Sequence, residues 1–275
     1  MAVVKSDVTK AAKELGVKEG DILLVHSSFK SLGEVDGGAE TVISGFLDAL
    51  GENGTLVLPT FCQKDFDNAY ETWHIDKHSD TGYLTNYFRK REGSIRSDQA
   101  THSVAASGRL AKELTATHGH THKLWGNMGD TPFSNDSPWE KMYRMNAKVI
   151  MLGVSARSVT FRHYAEYIFM NELLDKIKNH PQYDSMKNRL WHFGKPGVWP
   201  HVANDTVRVH MEEKGLWKST TCGDATLMCV EAKLFVDTAL EALRNFDEEY
   251  LWRLPAWDTD AWIEWTKEYK KMLEK

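Results

Sequence analysis

The stretch Asp21–Pro59, DILLVHSSFKSLGEVDGGAETVISGFLDALGENGTLVLP, decides the fold class. Its first five residues, Asp21 to Val25, hold an apolar run bounded by polar residues, too short for a helix and readable as a buried strand. A polar turn, His26 to Gly38, leads into a helix over Ala39 to Leu50. Gly51 to Gly54 turn the chain again, and Thr55 to Leu58 form a second strand that Pro59 closes, because proline has no N–H to give a ladder. A strand, loop, helix, turn and strand in that order predict an α/β fold: a mixed, largely parallel central sheet flanked by helices.

Upstream, Val8, Ala11, Ala12 and Leu15 recur at helical spacing and predict a helix over Ser6 to Leu15, stopped by Gly16. Residues 61–79 mix aromatics, Asp and His and read as a surface excursion near a site. Helices are expected over Gly82–Arg91, around Ala111–Ala116, and from Pro138 to Arg144 with Ser137 as cap. A third buried strand, Lys148–Val154, runs into a helix from Thr160 to Leu174, and a last helix spans Ala232–Phe246. Between Asp175 and Trp217 the pattern changes to Pro, Gly, Trp and charge. The expected organisation is one domain over residues 1–275, with 175–217 as a candidate acceptor-side insertion and a smaller C-terminal excursion or lobe.

Composition excludes some classes. At 275 residues, 41% hydrophobic and 27% charged, the chain can bury a sizeable core. A net charge of -5 without long basic runs argues against a nucleic-acid partner. Cys62, Cys222 and Cys229 are too scattered for a disulfide framework or zinc ribbon. The start is an amphipathic helix pattern rather than a leader, and the apolar runs fall well short of the ~20 residues needed to span a bilayer. A cytoplasmic protein with no membrane partner is the expectation. Trp252, Trp257, Trp262 and Trp265 cluster near the C-terminus and are read as packing.

The chemistry concentrates in Lys148–Glu166, KVIMLGVSARSVTFRHYAE. On a helix opened by Thr160, His163 and Glu166 share a face. A carboxylate on one imidazole nitrogen fixes the tautomer and leaves the other nitrogen to accept a proton. Thr160 caps the helix or presents its hydroxyl to the same pocket. The turn His26, Ser27, Ser28, Phe29, Lys30, Ser31, Leu32, Gly33 offers hydroxyls, amides and a lysine at a strand end, suited to a phosphate or an amide chain. Neither a Walker loop nor a dinucleotide fingerprint is present.

Five segments together resemble the aminoglycoside 3-N-acetyltransferase family: LLVHSSFKSLGEVDGGAETVI, GTLVLPTF, RSDQATHSVAASG, SPWEKMY, and KVIMLGV followed by TFRHYAE, with a fainter match at Gly223-Asp224-Ala225. The resemblance implies acetyl transfer from acetyl-CoA to an amine in a ternary complex. It implies that the His26–Leu32 turn and the stretch His102, Ser103, Val104, Ala105 bind the coenzyme, and that His163 is the base in T-x-x-H-x-x-E with Thr160 and Glu166. Its partners would be a small-molecule amine acceptor and, as an open option, a second copy in a homodimer. Gln99 and Ala100 depart from the His-Pro that drug-modifying members carry there, which puts the acceptor in question more than the coenzyme; acceptors other than aminoglycosides occur in the family. For a polycationic acceptor, Asp65, Asp67, Asp76 and Asp80 are candidate counter-charges.

Two rival chemistries have partial patterns in the sequence. Gly153-Val154-Ser155-Ala156-Arg157 approaches the nucleophile elbow of serine hydrolases, with Ser155 as nucleophile, but Arg157 replaces the final glycine. His118, His120 and His122 alternate like zinc ligands on a strand, yet no strand pattern surrounds them, and His74 with His78 is no stronger; no metal is expected. Cys62 reads as a core thiol.

Overall fold

The computed structural model describes residues 1–64, 68–118, 131–190, 198–253 and 259–274. Among them seven strands form one sheet: β1 (Ile22–Ser27), β2 (Thr55–Pro59), β3 (Ile95–Arg96), β4 (Val104–Gly108), β5 (Lys148–Leu152), β6 (Lys218–Cys222) and β7 (Ala225–Glu231). Their order is β3-β4-β2-β1-β5-β7-β6. β1 pairs in parallel with β2 on one side and β5 on the other, Leu24 facing Val57 and Val149. Every remaining pairing is antiparallel. The expectation of a largely parallel sheet is therefore corrected: the centre is parallel, and both margins run against it. One margin follows from a local cause. β6 and β7 are joined by the two residues Gly223 and Asp224, and so short a link can join only antiparallel strands.

Alternation along the central strands sorts two cores. Ile22, Leu24, Val57, Val149 and Met151 face one, and Leu23, Val25, Leu56, Leu58, Ile150 and Leu152 the other. Both faces are covered, which is why these strands read as unbroken apolar runs rather than as alternating ones. The second face is closed by α1 (Lys5–Glu14), α2 (Gly38–Leu50) and α3 (Tyr83–Phe88), through Val8, Ala12, Val42, Phe46, Leu84 and Phe88. The first is closed by α4 (Ala111–Thr115), α5 (Pro138–Arg144), α6 (Phe161–Ile177) and α9 (Ala232–Arg244), with α7 (Tyr183–Asn188), α8 (Asn204–Glu213) and α10 (Thr259–Leu273) adding Met186, Val207, Trp262 and Trp265. Ser137 caps α5, its hydroxyl accepting from Glu140 N at 3.2 Å, with Pro138 at the first position.

The end of the chain packs into this same core. Trp262, Trp265 and Tyr269 stack in succession at 5.4 and 5.5 Å, and Trp265 Nε1 donates to Met186 O. Burying such rings contributes several kcal/mol, since a large aromatic replaced by alanine in a core costs about 3–5 kcal/mol. Trp252 instead carries the Arg162 guanidinium 4.6 Å from its ring centroid, and Trp257 lies outside the described residues. No described helix is long and apolar enough to cross a membrane.

Candidate active site

The parallel strands β1 and β5 end side by side, His26 opposite Met151 and Ser27 opposite Leu152. Beyond those carboxyl ends, where open α/β sheets bind ligands, lies a cleft of about 340 Å³. His26, Ser27, Phe61, Gln63, His102, Arg157, Thr160, Arg162 and His163 are among its lining residues. The chain leaves β5 through Gly153, makes a short 3-10 turn over Ala156–Ser158, and enters α6 at Thr160. His163 therefore sits in the first turn of α6, at the mouth of the sheet.

His163 Nδ1 lies 2.9 Å from Glu166 Oε2, and both side chains are buried. Arg162 Nε reaches His163 Nε2 at 3.3 Å. A guanidinium can only donate, so Nε2 is the lone-pair nitrogen and Nδ1 carries the hydrogen that Glu166 accepts. Burial, and then the Arg162 charge, pull the His163 pKa down to about 4 against the opposing pull of Glu166, so the ring is neutral at pH 7. Glu166 is fully enclosed and held by two further donors, Trp199 Nε1 at 3.0 Å on Oε2 and Val202 N at 2.8 Å on Oε1. A buried carboxylate needs such donors to remain ionised. They come from beyond the end of α6, and Trp199 and Val202 carry no local signal that assigns them this task. Thr160 precedes α6 and lines the cleft, but its side chain makes no cap bond: Oγ1 donates to Ser158 O at 3.4 Å.

The turn after β1 forms the opposite wall. His26 is 5% exposed, its pKa is lowered to about 4 by burial, and its Nε2 has no hydrogen-bond partner among the described residues. Ser27 lines the cleft beside it. Ser28 N donates to Leu152 O and Ser31 Oγ donates to Ser28 O at 2.6 Å, which ties the turn to β5. Gly153 makes that contact close. Its φ is +61°, and a Cβ there would collide with the Ser31 side chain. Phe29 packs edge-on against Tyr83 at 5.1 Å, Lys30 is exposed, and Leu32 is buried in the core with its carbonyl accepting from Asp224 N.

The stretch from His102 to Ala105 divides. His102 reaches the cleft, its ring 5.8 Å from His163 and 4.9 Å from Phe61. Ser103 is fully buried and bonded to Thr60, while Val104 and Ala105 are core residues of β4; none of the three lines the cleft. Gln99 shapes the turn that presents His102, since its Oε1 accepts from Thr101 N and His102 N. Gln63 Nε2 then donates to His102 Nε2 at 3.1 Å, and Thr101 Oγ1 meets Nδ1 at 2.8 Å. Asp80 holds the backbone N–H groups of Gln63 and Lys64 and does not face the cleft, and neither does Asp76. Asp65 and Asp67 lie outside the described residues.

The rival chemistries find little geometry. Ser155 is exposed and absent from the cleft lining; its carbonyl accepts from Ser158 Oγ, and among the described residues no histidine bonds its hydroxyl. His118 is a structural histidine: Nδ1 meets Ser97 Oγ at 2.8 Å and Nε2 meets Pro132 O at 3.0 Å, and burial lowers its pKa to about 3. His120 and His122 fall outside the described residues. The Cys62 thiol is buried, its Sγ donating to His78 O at 3.2 Å, and burial raises its pKa.

Known proteins share the family pattern and the fold of this chain. The family model described as aminoglycoside 3-N-acetyltransferase matches residues 24–244. Aminoglycoside N(3)-acetyltransferase III of Salmonella sp is 33% identical over 178 residues, which cover 58% of this chain and 59% of that protein. The chain thus matches well under two thirds of that relative's length. Among solved structures, AAC-IIIb in a binary complex with CoASH superposes with a TM-score of 0.70 at 18% identity, covering 93% of this chain and all of the other. A mutant of AAC(3)-IVa in complex with apramycin gives 0.67 at 22%, covering 89% of this chain and 93% of the other. At such identities the likeness speaks for the fold.

Proposed function

The chain belongs to the aminoglycoside 3-N-acetyltransferase family, and on that premise we propose that it is an acetyl-CoA-dependent N-acetyltransferase with His163 as general base. The observation that carries the reading is the buried His163–Glu166 pair at the cleft. Acetyl-CoA supplies an acyl group activated as a thioester. The residues suited to hold it are His26 and Ser27, which line the cleft, and the turn that follows them. Lys30, exposed at the same turn, suits a phosphate.

His163 does the proton work. An attacking amine is nucleophilic only when neutral and must lose a proton as its bond to carbon forms. The neutral ring accepts that proton on Nε2, and Glu166, bonded to Nδ1, stabilises the imidazolium. The thiolate that departs takes the proton from His163, so the base returns to its starting state. Thr160, which lines the cleft, has a hydroxyl that on turning from Ser158 O would donate to the acyl oxygen as it gathers charge. The chemistry involves two substrates bound together and no covalent enzyme intermediate.

The acceptor is an amine of an aminoglycoside, the class named for the relatives, or of a related small molecule. A non-aminoglycoside amine is the second reading, which Gln99 and Ala100, standing where drug-modifying members carry His-Pro, favour. Thiol release from acetyl-CoA, measured against a panel of aminoglycosides and simpler amines, tests the activity. His163→Ala should lower kcat by about 10²–10⁴-fold with CoA affinity essentially kept. Activity surviving that change within a few fold would remove His163 as the base.

A further inference from the structure

The turn before β4 carries a chain of hydrogen bonds whose direction is fixed at both ends. Gln99 Oε1 accepts from Thr101 N at 2.8 Å and from His102 N, so that amide turns its nitrogen the other way and donates to Tyr70 OH at 3.0 Å. Thr101 Oγ1 gives its hydrogen to the same Oε1 at 3.3 Å and therefore meets His102 Nδ1, at 2.8 Å, as an acceptor. Nδ1 carries the ring hydrogen, and Nε2 keeps the lone pair. At the other end, Gln63 Nε2 lies 3.3 Å from Thr101 O, which can only accept, and 3.1 Å from His102 Nε2. Its two hydrogens go to those two acceptors. Both ends require the same tautomer of His102, and bonds that polarise one another along the chain hold it.

A carboxamide carries its oxygen and nitrogen on opposite branches of one carbon, so an amide whose nitrogen bonds the wall turns its oxygen away from it. Gln63 is half-buried and lines the cleft, and among the described residues no donor reaches its Oε1. His163 lines the same cleft, its ring 5.8 Å from that of His102, and both rings pack beside Phe133. Resting on the N-acetyl transfer proposed above, we infer that Gln63 Oε1 is the second hydrogen-bond acceptor for the attacking nitrogen, and that the acceptor substrate is for that reason a primary amine. A neutral primary amine has two hydrogens and one lone pair. With one hydrogen on His163 Nε2 and the other on Gln63 Oε1, about 3 Å from each, the lone pair is left for the thioester carbon. The first of these bonds takes the place of the 3.3 Å one from Arg162 Nε. An alcohol or a secondary amine has a single hydrogen and satisfies one acceptor of the two. The N–C bond forms, the C–S bond breaks, and the amine proton passes through His163 Nε2 to the departing sulfur; Gln63 takes no proton. Gln63 thus touches the substrate, while Thr101 and Gln99 are positioning residues that act through the His102 tautomer.

The test measures thiol release from acetyl-CoA with kanamycin, propylamine and N-methylpropylamine as acceptors. In Gln63→Leu, kcat/KM for the primary amines should fall at least about tenfold, while the KM for acetyl-CoA shifts by less than about twofold. The native chain should prefer propylamine to its N-methyl derivative by about tenfold, and Gln63→Leu should bring that ratio toward one. A merely structural defect would lower both rates alike and leave the ratio unchanged. Gln63→Glu, which keeps an acceptor oxygen, should lose less than Gln63→Leu; where kanamycin alone is turned over, this comparison decides. Nitrogen-15 spectra of the imidazoles should show His102 in the Nδ1–H form. The Nε2–H form, a ratio that survives Gln63→Leu, a loss that falls on acetyl-CoA, or Gln63→Glu no better than Gln63→Leu would overturn the inference. If no amine in the panel releases thiol, the transfer reading itself fails. Calorimetry of kanamycin on the CoA-saturated protein then decides the role of Gln63 separately: binding weakened in Gln63→Leu supports it, and no binding, or equal binding, sinks it.

Discussion

The two walls of the cleft are made of different materials. The β1 turn is a matter of close backbone approach: Ser28 and Ser31 hydrogen-bond within a few residues or onto the next strand, and Gly153 leaves room for them. The α6 wall is a matter of charge. His163, Glu166 and Arg162 are buried together and held by Trp199 and Val202, more than thirty residues further along the chain. The first wall offers shape to a ligand and the second offers proton chemistry. A defect in one is therefore steric and local, while a defect in the other leaves an uncompensated charge or donor in a medium of low dielectric.

The largest expected effect falls on the electrostatic wall. Glu166→Ala strips the partner from His163 Nδ1, Trp199 Nε1 and Val202 N at once, and should lower the unfolding free energy by about 3–5 kcal/mol in denaturant titration. A loss under about 1 kcal/mol would mean that the pair is better solvated than its burial implies, and the contrast between walls would vanish. Next comes the steric wall. Gly153→Ala sets a side chain at φ +61° against Ser31 and should cost about 2–3 kcal/mol. Pairing it with Ser31→Gly should recover the collision part and leave the backbone part, whereas a double variant no better than the single one would place the strain elsewhere.

The smallest effect, per unit of pH, is one the walls share. Burial holds His26 and His163 at about 4, against 6.5 for an unburied ring. Below pH 6.5 the unfolded chain binds protons that the folded chain refuses, so stability falls as the pH drops toward 4. Each ring contributes a slope of up to about 1.4 kcal/mol per pH unit. Between pH 6.5 and 5, His26→Gln and His163→Gln should each flatten the native protein's slope by a similar amount. A flattening in one variant alone would show that one of the two rings is reached by solvent.

Legibility in the sequence follows the range of the forces involved. The central strands are readable because three or four apolar residues in a row between turns leave few alternatives, and the α5 start because Ser137 and Pro138 announce it. The strand β4 is not: Val104–Gly108 is mostly alanine, serine and glycine and has no strand propensity, and it holds its place by pairing with β2. The β6–β7 hairpin does carry a sign, a Gly-Asp pair between two runs, but in the sequence that pair stands out as a family match and not as a turn. At the site, His163 and Glu166 are within reach because a helix places i and i+3 together. Arg162 lies unread in the same segment, since nothing in T-x-x-H-x-x-E says which way the residue before the histidine points.

Residue pattern was thus sufficient for the α/β class, the covered parallel centre and the pairing of one imidazole with one carboxylate, all products of periodicity and of contacts within a turn or two. It took the packed molecule to make both sheet margins antiparallel, to bring Trp199 and Val202 onto Glu166, and to rest Arg162 on the nitrogen of the base. Distance along the chain separates the two sets. Local geometry is set by dihedral preference and side-chain spacing, but which remote donor meets a buried charge depends on how whole elements pack, and no short window of residues contains that information.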